Sequence, residues 1–504
     1  MVHPRRAIAS SRSSSIAGTA AGVLITALVL AGCGSSQSTS PQYNPNRSAP
    51  SPGPGLGPGP EVDADRESRS TFAIDIDTAS YGFVRRQIVD GQRPDPANVR
   101  PEEFLNAFRQ DYPQPSGNGF AVFMDGARLP RGYGNESGQL RLLRVGLQTR
   151  ADDPVRRPDA ALTFVVDVSG SMAEPGRLDL VKDALHTLVD QLRDSDEVAI
   201  VAYQRNARVL RAMTPVRSRS VLHGAIDDLE AGGSTNLEAG LVMGYQVARD
   251  GFLRDGTNRV ILLSDGLANV GNTTAEPILR QIREEAAKKI ALLGVGVGSE
   301  YGDELMERLA DEGDGFVTYI SEREQARQLF VHRLPATLTV RALDAKVQVT
   351  FDPAVVASYR LVGYENRVVD AADFRNDRVD GGEVGPGHSV TALYVVRLRG
   401  DDASGGRMAE ARVRWLDPQS REAHETASTI GDAEISGDFA GASPRLQVCY
   451  IAAYFAEVLR ASQYAAEVRL RDLATLADAA YHATDDPQVR ELADLIRRVE
   501  ERSR

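Results

Sequence analysis

Between residues 156 and 335, short apolar runs alternate with amphipathic stretches. The runs are ALTFVVD, EVAIVAY, RVLRAM, RVILLSD, IALLGVGV and GFVTYI. Most are apolar throughout and do not alternate, the pattern of strands buried on both faces. Between them, LDLVKDALHTLVDQL places Leu178, Val181, Leu185, Leu188 and Leu192 on one helical face. AEPILRQIREEAAKKI and SEREQARQLFVHRL behave in the same way. This order predicts a mainly parallel sheet between two helix layers. RVLRAM is less apolar and is expected as an antiparallel edge strand.

The flanking segments read differently. Over 69–155, STFAIDIDTAS begins like a strand, PANVRPEEFLNAF looks helical, and QLRLLRVGLQT alternates as a half-buried strand does. Over 336–430, ATLTVRALDAKVQVTFD, SYRLVGY, SVTALYVVRL and EARVRWL are separated by turn residues, as in an antiparallel sandwich. Neither flank has enough strands to close a sandwich alone, and open edges need partners. The two are therefore expected to form one body with the α/β segment inserted between them. Residues 431–442 read as a linker and 443–504 as helix. There, Ser443-Pro444 and Asp486-Pro487 each offer a cap followed by proline at the first helical position. The helical C-terminal region is thus 431–504.

Composition narrows the function classes. The chain has 504 residues, 42% of them hydrophobic, and a net charge of -12, so no basic excess is available for nucleic acid. Residues 1–32 carry Arg5, Arg6 and Arg12, no acid, and an apolar stretch from Ile16 to Gly32 that is short for a span of roughly 20 residues. Leu30-Ala31-Gly32-Cys33 resembles the bacterial lipobox. The resemblance implies a signal peptide over 1–32 and a diacylated Cys33 as the mature N-terminus. Gly34 rather than aspartate follows the cysteine, which by analogy with known sorting points to the outer membrane of a diderm. PQYNPNRSAPSPGPGLGPGP, with seven prolines and four glycines, cannot bury a core, and 33–68 reads as a tether. Cys449 is then the one remaining thiol, in the apolar RLQVCYIAAYF, where it and Tyr450, Tyr454 and Phe455 are expected in the core.

Candidate chemistry concentrates at strand ends. Asp167 closes the first central strand and is followed by Ser169, Gly170 and Ser171; AGGSTNLEAG brings Thr235 from between two helices, and Asp265 ends another buried strand. In open α/β sheets the carboxyl ends of strands share one rim. Two carboxylates and three hydroxyls, with no sulfur or imidazole, form a donor set for Mg²⁺ or Mn²⁺ and not for zinc.

Asp167-x-Ser169-x-Ser171, Thr235 and Asp265 resemble the metal-ion-dependent adhesion site of von Willebrand factor type A (VWA) domains in residue type, order and strand–loop context. STFAIDIDTASYGFVRRQI, YRLVGYENR and the helical tail are similar to bacterial envelope lipoproteins that flank a VWA domain with an associated N-terminal domain and a C-terminal domain of unknown function. The likeness covers roughly residues 69–504. It implies a Rossmann-like α/β VWA domain in which Ser169, Ser171 and Thr235 ligate or approach the metal. Asp167 and Asp265 would act directly or through water, and one position would stay open for an Asp or Glu of an envelope or extracellular protein partner.

Competing readings remain. Asp75 and Asp77 in AIDIDTAS suggest a phosphatase of the D-x-D-x-[TV] type, but Ala79 occupies the fifth position; a capping role, or a bridge to the VWA domain, is the alternative. GVGVG fails the dinucleotide spacing at Ser299, and AGGST lacks the lysine of a phosphate loop. The seven histidines are scattered, with no pair at metal-helix spacing. A lipid-anchored binding protein, a structural or maturation scaffold in which the metal is incidental, and an envelope hydrolase are the three function classes, the first favoured.

Overall fold

The computed structural model describes residues 57–504 apart from 131–137, 152–156, 267–274, 299–302, 331–339, 401–404 and the single positions 287, 312, 314, 328, 380 and 504. The expected leader, Cys33 and most of the expected tether lie outside the described residues.

The chain enters through β1 (Val62–Asp63) and β2 (Arg69–Ala73), then the helix Ala79–Val89 and the short helix Pro101–Asn106. β3 (Phe120–Arg128) and β4 (Leu140–Thr149) follow. The expected tether over 33–68 therefore ends sooner: Val62 and Asp63 pair with Tyr359 and Ser358, and Ala64 is buried. A two-residue strand is too short to show a hydrophobic period, which is why EVDADRES read as linker.

The central domain contains β5 (Ala160–Asp167), β6 (Glu197–Tyr203), β7 (Ala207–Pro215), β8 (Thr257–Ser264), β9 (Ile290–Val297) and β10 (Phe316–Ile320). They form one sheet in the order β10-β9-β8-β5-β6-β7. All neighbours run parallel except β6 and β7, so RVLRAM is the antiparallel edge. Alternate residues of β5 enter opposite cores. Leu162, Phe164 and Val166 pack with Val181, Leu185 and Leu188 of the helix Leu178–Gln191. Val165 packs with Leu241 and Tyr245 of the helix Leu237–Asp250. Full burial of each such side chain stabilises by roughly 1.5–3 kcal/mol.

After the central domain come β11 (Ala342–Phe351), β12 (Val356–Val362), β13 (Gly382–Val384), β14 (Ser389–Leu398), β15 (Arg407–Leu416) and β16 (Ala423–Gly431). Two antiparallel sheets result, β1-β12-β14-β4-β3 and β13-β11-β15-β16, with β2 beside β11. Both mix strands from before and after the central domain. β4 pairs with β14 from Ser389↔Gln148 to Arg397↔Leu140. The central domain is an insertion between the two halves of one sandwich.

β4 departs from its half-buried expectation, because all ten of its residues are buried. Leu143, Val145 and Leu147 face the sandwich core, while Leu140 and Leu142 join a second core built with the C-terminal helices. The polar positions on that second face are partnered: Arg144 donates to Asp125 Oδ1 at 2.8 Å and to Gln110 Oε1 at 3.1 Å.

The second core is dominated by the helix Pro444–Leu459, whose N-cap Ser443 accepts from Leu446 N. Cys449 is buried and free and donates to Gln110 Oε1 at 3.0 Å; Tyr450, Tyr454 and Phe455 are buried beside it. Two further helices, Leu470–Thr484 and Pro487–Ser503, complete the layer, with Asp486 Oδ1 accepting from Gln488 N at the second start. Residues 431–442 are not a free linker. Ile435 is buried in the sandwich core and Phe439 in the helical core, so the segment is pinned between the two. Isolated apolar residues of this kind leave no period in a sequence.

Candidate metal-binding rim

β5 and β6 are in register with Asp167 opposite Tyr203, so both side chains stand at the carboxyl edge of the sheet. β8 ends one residue before Asp265 on the same edge. Asp167 is fully buried. Its Oδ1 accepts from Ser169 N at 2.8 Å, and its Oδ2 accepts from Ser264 Oγ at 2.8 Å and Tyr203 O–H at 3.2 Å. Burial pushes the Asp167 carboxyl up; the hydrogen bonds from Ser169 and Ser264 oppose this, and the neighbouring Asp265 charge adds to it. Burial also lifts the Tyr203 hydroxyl well above its ordinary value, with the Asp167 charge acting in the same direction.

From Asp167 the oxygens continue as a chain. Ser169 Oγ and Ser171 Oγ lie 3.1 Å apart, and Ser171 Oγ donates to Asp265 Oδ1 at 3.0 Å. Gly170–Ala173 is a single 3-10 turn, which brings both serines round to the strand end. The loop carrying Thr235 is laid against this turn by backbone bonds, Gly170 N to Gly233 O at 3.0 Å and Gly232 N to Val168 O at 2.7 Å. Gly233 has φ +88°, a left-handed backbone conformation that side-chain-bearing residues adopt only with strain, so this turn favours glycine. Thr235 itself is buried. Residues 267–274, which follow Asp265 and Gly266, lie outside the described residues.

Asp167, Ser169, Ser171 and Asp265 are thus linked through hydrogen bonds, and the Thr235 loop is docked on the same turn. The donor set fits a hard divalent cation. Among the described residues no group of three His, Cys, Asp or Glu side chains converges on one point, so hydroxyls would have to supply much of any coordination here.

Three rim residues were not legible in the sequence. Arg177 is buried and donates to Asp265 Oδ2 at 2.6 Å and to the Ser171 carbonyl at 3.2 Å, so a fixed guanidinium offsets the charge of one carboxylate. Nothing local distinguishes it among so many arginines. Ser264 and Tyr203 orient Asp167, and their places at strand ends on the same edge are the signal that could have found them. Asp75 and Asp77 lie elsewhere, at the joint with the sandwich: Asp77 Oδ1 accepts from Val317 N of β10 at 2.7 Å, which is the bridging role.

The fold and the rim together define a VWA-domain protein. The family model described as von Willebrand factor type A domain matches residues 161–332, and one described as von Willebrand factor matches residues 58–136. A third, described as Uncharacterized protein YfbK, C-terminal, matches residues 336–408. The chain belongs to the YfbK family: the protein of that name from Escherichia coli K12 is 34% identical over 388 residues, which cover 72% of this chain and 67% of that protein. The Synechocystis protein sll0103 is 31% identical over 195 residues, 38% of this chain and 45% of that one. Human inter-alpha-trypsin inhibitor heavy chain H3 is 29% identical over 174 residues, 33% of this chain and 19% of that protein. Among solved structures, a von Willebrand factor type A protein from Catenulispora acidiphila matches with 18% identity and a TM-score of 0.45, covering 76% of this chain and 91% of that one. VWA domains are protein-interaction modules that often use a metal-ion-dependent adhesion site.

Proposed function

We propose that this chain is a lipid-anchored, exported binding protein of the cell envelope. Its VWA domain would hold Mg²⁺, or Mn²⁺, through Asp167, Ser169, Ser171, Thr235 and Asp265 and capture an Asp or Glu of a protein partner. The observation that carries the reading is the hydrogen-bonded series Asp167–Ser169–Ser171–Asp265 at the end of two buried parallel strands. When bound, the ion supplies a Lewis-acidic position for the incoming carboxylate. Ser264 and Tyr203 hold one oxygen of Asp167 and so fix its orientation, and Arg177 does the same for Asp265. Ser171 is exposed and stands at the mouth of the rim. No catalytic step is assigned to these residues. The anchor would be Cys33, in the outer membrane of a diderm, with the proline–glycine tether holding the body away from the lipid.

Crosslinking in intact cells with and without chelator, followed by identification of the captured protein, tests the reading. Capture should disappear in chelator, return with Mg²⁺ or Mn²⁺, and be absent in Asp167→Ala. Capture by Asp167→Ala in chelator at wild-type affinity would leave the scaffold reading in its place.

A further inference from the structure

Two histidines that lie 37 positions apart meet on the surface of the VWA domain. His186 belongs to the helix Leu178–Gln191 and His223 to the helix Arg219–Asp227, which pack against each other. The rings meet edge to edge, with 4.9 Å between centroids and 28° between planes, and their Nδ1 atoms are 2.7 Å apart. Each remaining ring nitrogen meets a carboxylate: His186 Nε2 lies 3.2 Å from Asp227 Oδ1, and His223 Nε2 lies 3.2 Å from Asp190 Oδ1.

Three contacts in this row each require a proton or another cation, and two neutral imidazoles bring only two protons. With both N–H groups donated outward to the carboxylates, two Nδ1 lone pairs face each other with nothing between them. A cation at that point satisfies the whole row. We propose that His186 and His223 form a site for a borderline divalent cation of the zinc class, bound by the two Nδ1 atoms, with Asp227 and Asp190 holding the outer nitrogens.

The ordering carboxylate–imidazole–metal is the one in which the outer acid fixes the tautomer and raises ligand basicity. Imidazole suits zinc, copper and nickel, whereas the oxygen rim around Asp167 suits Mg²⁺, so the two sites differ in the metal they select. Two zinc–nitrogen bonds of about 2.0–2.1 Å at a tetrahedral angle place the nitrogens about 3.3–3.4 Å apart. An opening of about 0.6 Å from the present separation suffices. The side chains are 30% and 28% exposed on two separate helices, so such a movement is open to them and water can complete the coordination shell. Bound in this way, the ion would tie the second helix to the first. The inference does not depend on the adhesion reading.

The full chain, stripped with chelator and returned to saturating Mg²⁺, is titrated with a zinc salt by calorimetry while its melting temperature is followed. Wild type and Asp167→Ala should take up one zinc per chain with a rise in melting temperature. The variants H186A and H223Q should lose both, and the pair Asp190→Asn and Asp227→Asn should weaken uptake about tenfold or more. Electron paramagnetic resonance with Cu²⁺ should register two coordinated nitrogens in wild type. Zinc uptake that is unchanged in the H186A and H223A double variant, or absent in wild type, overturns the proposal and leaves the two rings sharing a proton.

Discussion

A carboxylate as enclosed as Asp167 is costly without a cation nearby, and its three hydrogen bonds only partly offset that cost. Asp167→Ala should therefore melt in chelator at or above the wild-type temperature, yet lose the rise that Mg²⁺ at the proposed site should give wild type. That rise corresponds to about 2.7 kcal/mol when free metal is 100-fold above Kd. Thermal melts with and without chelator read both effects, and an Asp167→Ala protein that still gains stability from Mg²⁺ would remove Asp167 from the site. Glu102 is a second residue whose surroundings set its chemistry. It is buried, and its Oε2 has no hydrogen-bond partner among the described residues. Burial pushes its carboxyl up to about 7, the charges of Glu365 and Asp75 add to this, and Arg100 opposes it. Because the folded state holds the proton more tightly, the stabilisation is complete below the ordinary value of 4.5 and is lost as pH rises toward 7. The loss approaches about 3 kcal/mol. Glu102→Gln should flatten the stability profile over that window and raise the melting temperature at pH above 7. Urea titrations at successive pH values check this, and a profile as steep as wild type would refute it.

At the scale of elements, the informative contacts are those that tie the VWA domain to its frame. Asp77 accepts the Val317 amide of β10, and Phe83 of the helix Ala79–Val89 packs edge-on against Tyr319 of the same strand. That helix thereby covers an edge strand that would otherwise be open to other chains. Arg85, on the same helix, pairs with Glu322 just after β10 and with Glu491 in the C-terminal helix Pro487–Ser503. Asp77→Ala should cost about 2 kcal/mol, because it leaves a buried N–H without its charged acceptor. Amide exchange should accelerate in β10 before it does in β5; uniform protection in the variant would contradict the bridge. The two aspartates were visible in the sequence as a pair, but their partner was not, since Val317 lies 240 positions from Asp77. β4 teaches the same lesson: its alternation was legible, while the burial of its second face depended on helices 300 residues further along the chain.

For the whole molecule, strands on both sides of the insertion share two sheets, so neither flank has its hydrogen-bond partners alone. A fragment 57–155 should be insoluble or unfolded, because β4 would lose β14 and β2 would lose β11. The VWA domain excised as 157–335 should fold, since its six strands pair only with each other. Limited proteolysis and circular dichroism on the two fragments test both statements, and a stable 57–155 fragment would defeat the shared-sandwich account. The proposed lipid anchor belongs to this scale too. Cys33→Ser should release the protein from the membrane fraction or stall the precursor, and fractionation with wild-type behaviour would count against the anchor.

The elements of the central sheet and the donor types of its rim were determined by the sequence alone. Continuous apolar runs, helical leucine spacing and oxygen-bearing residues at strand ends are local features, and each is contained in one short segment. Tertiary structure alone decided which Arg meets Asp265, which acids surround Glu102, that Val62 and Asp63 form a strand, and that His186 stands against His223. Every one of these is a contact between segments distant in the chain, made by side chains whose types are common on any surface. Their meaning comes from burial and from the neighbour that the packing of sheets and helices supplies, and neither leaves a period or a spacing in a linear pattern.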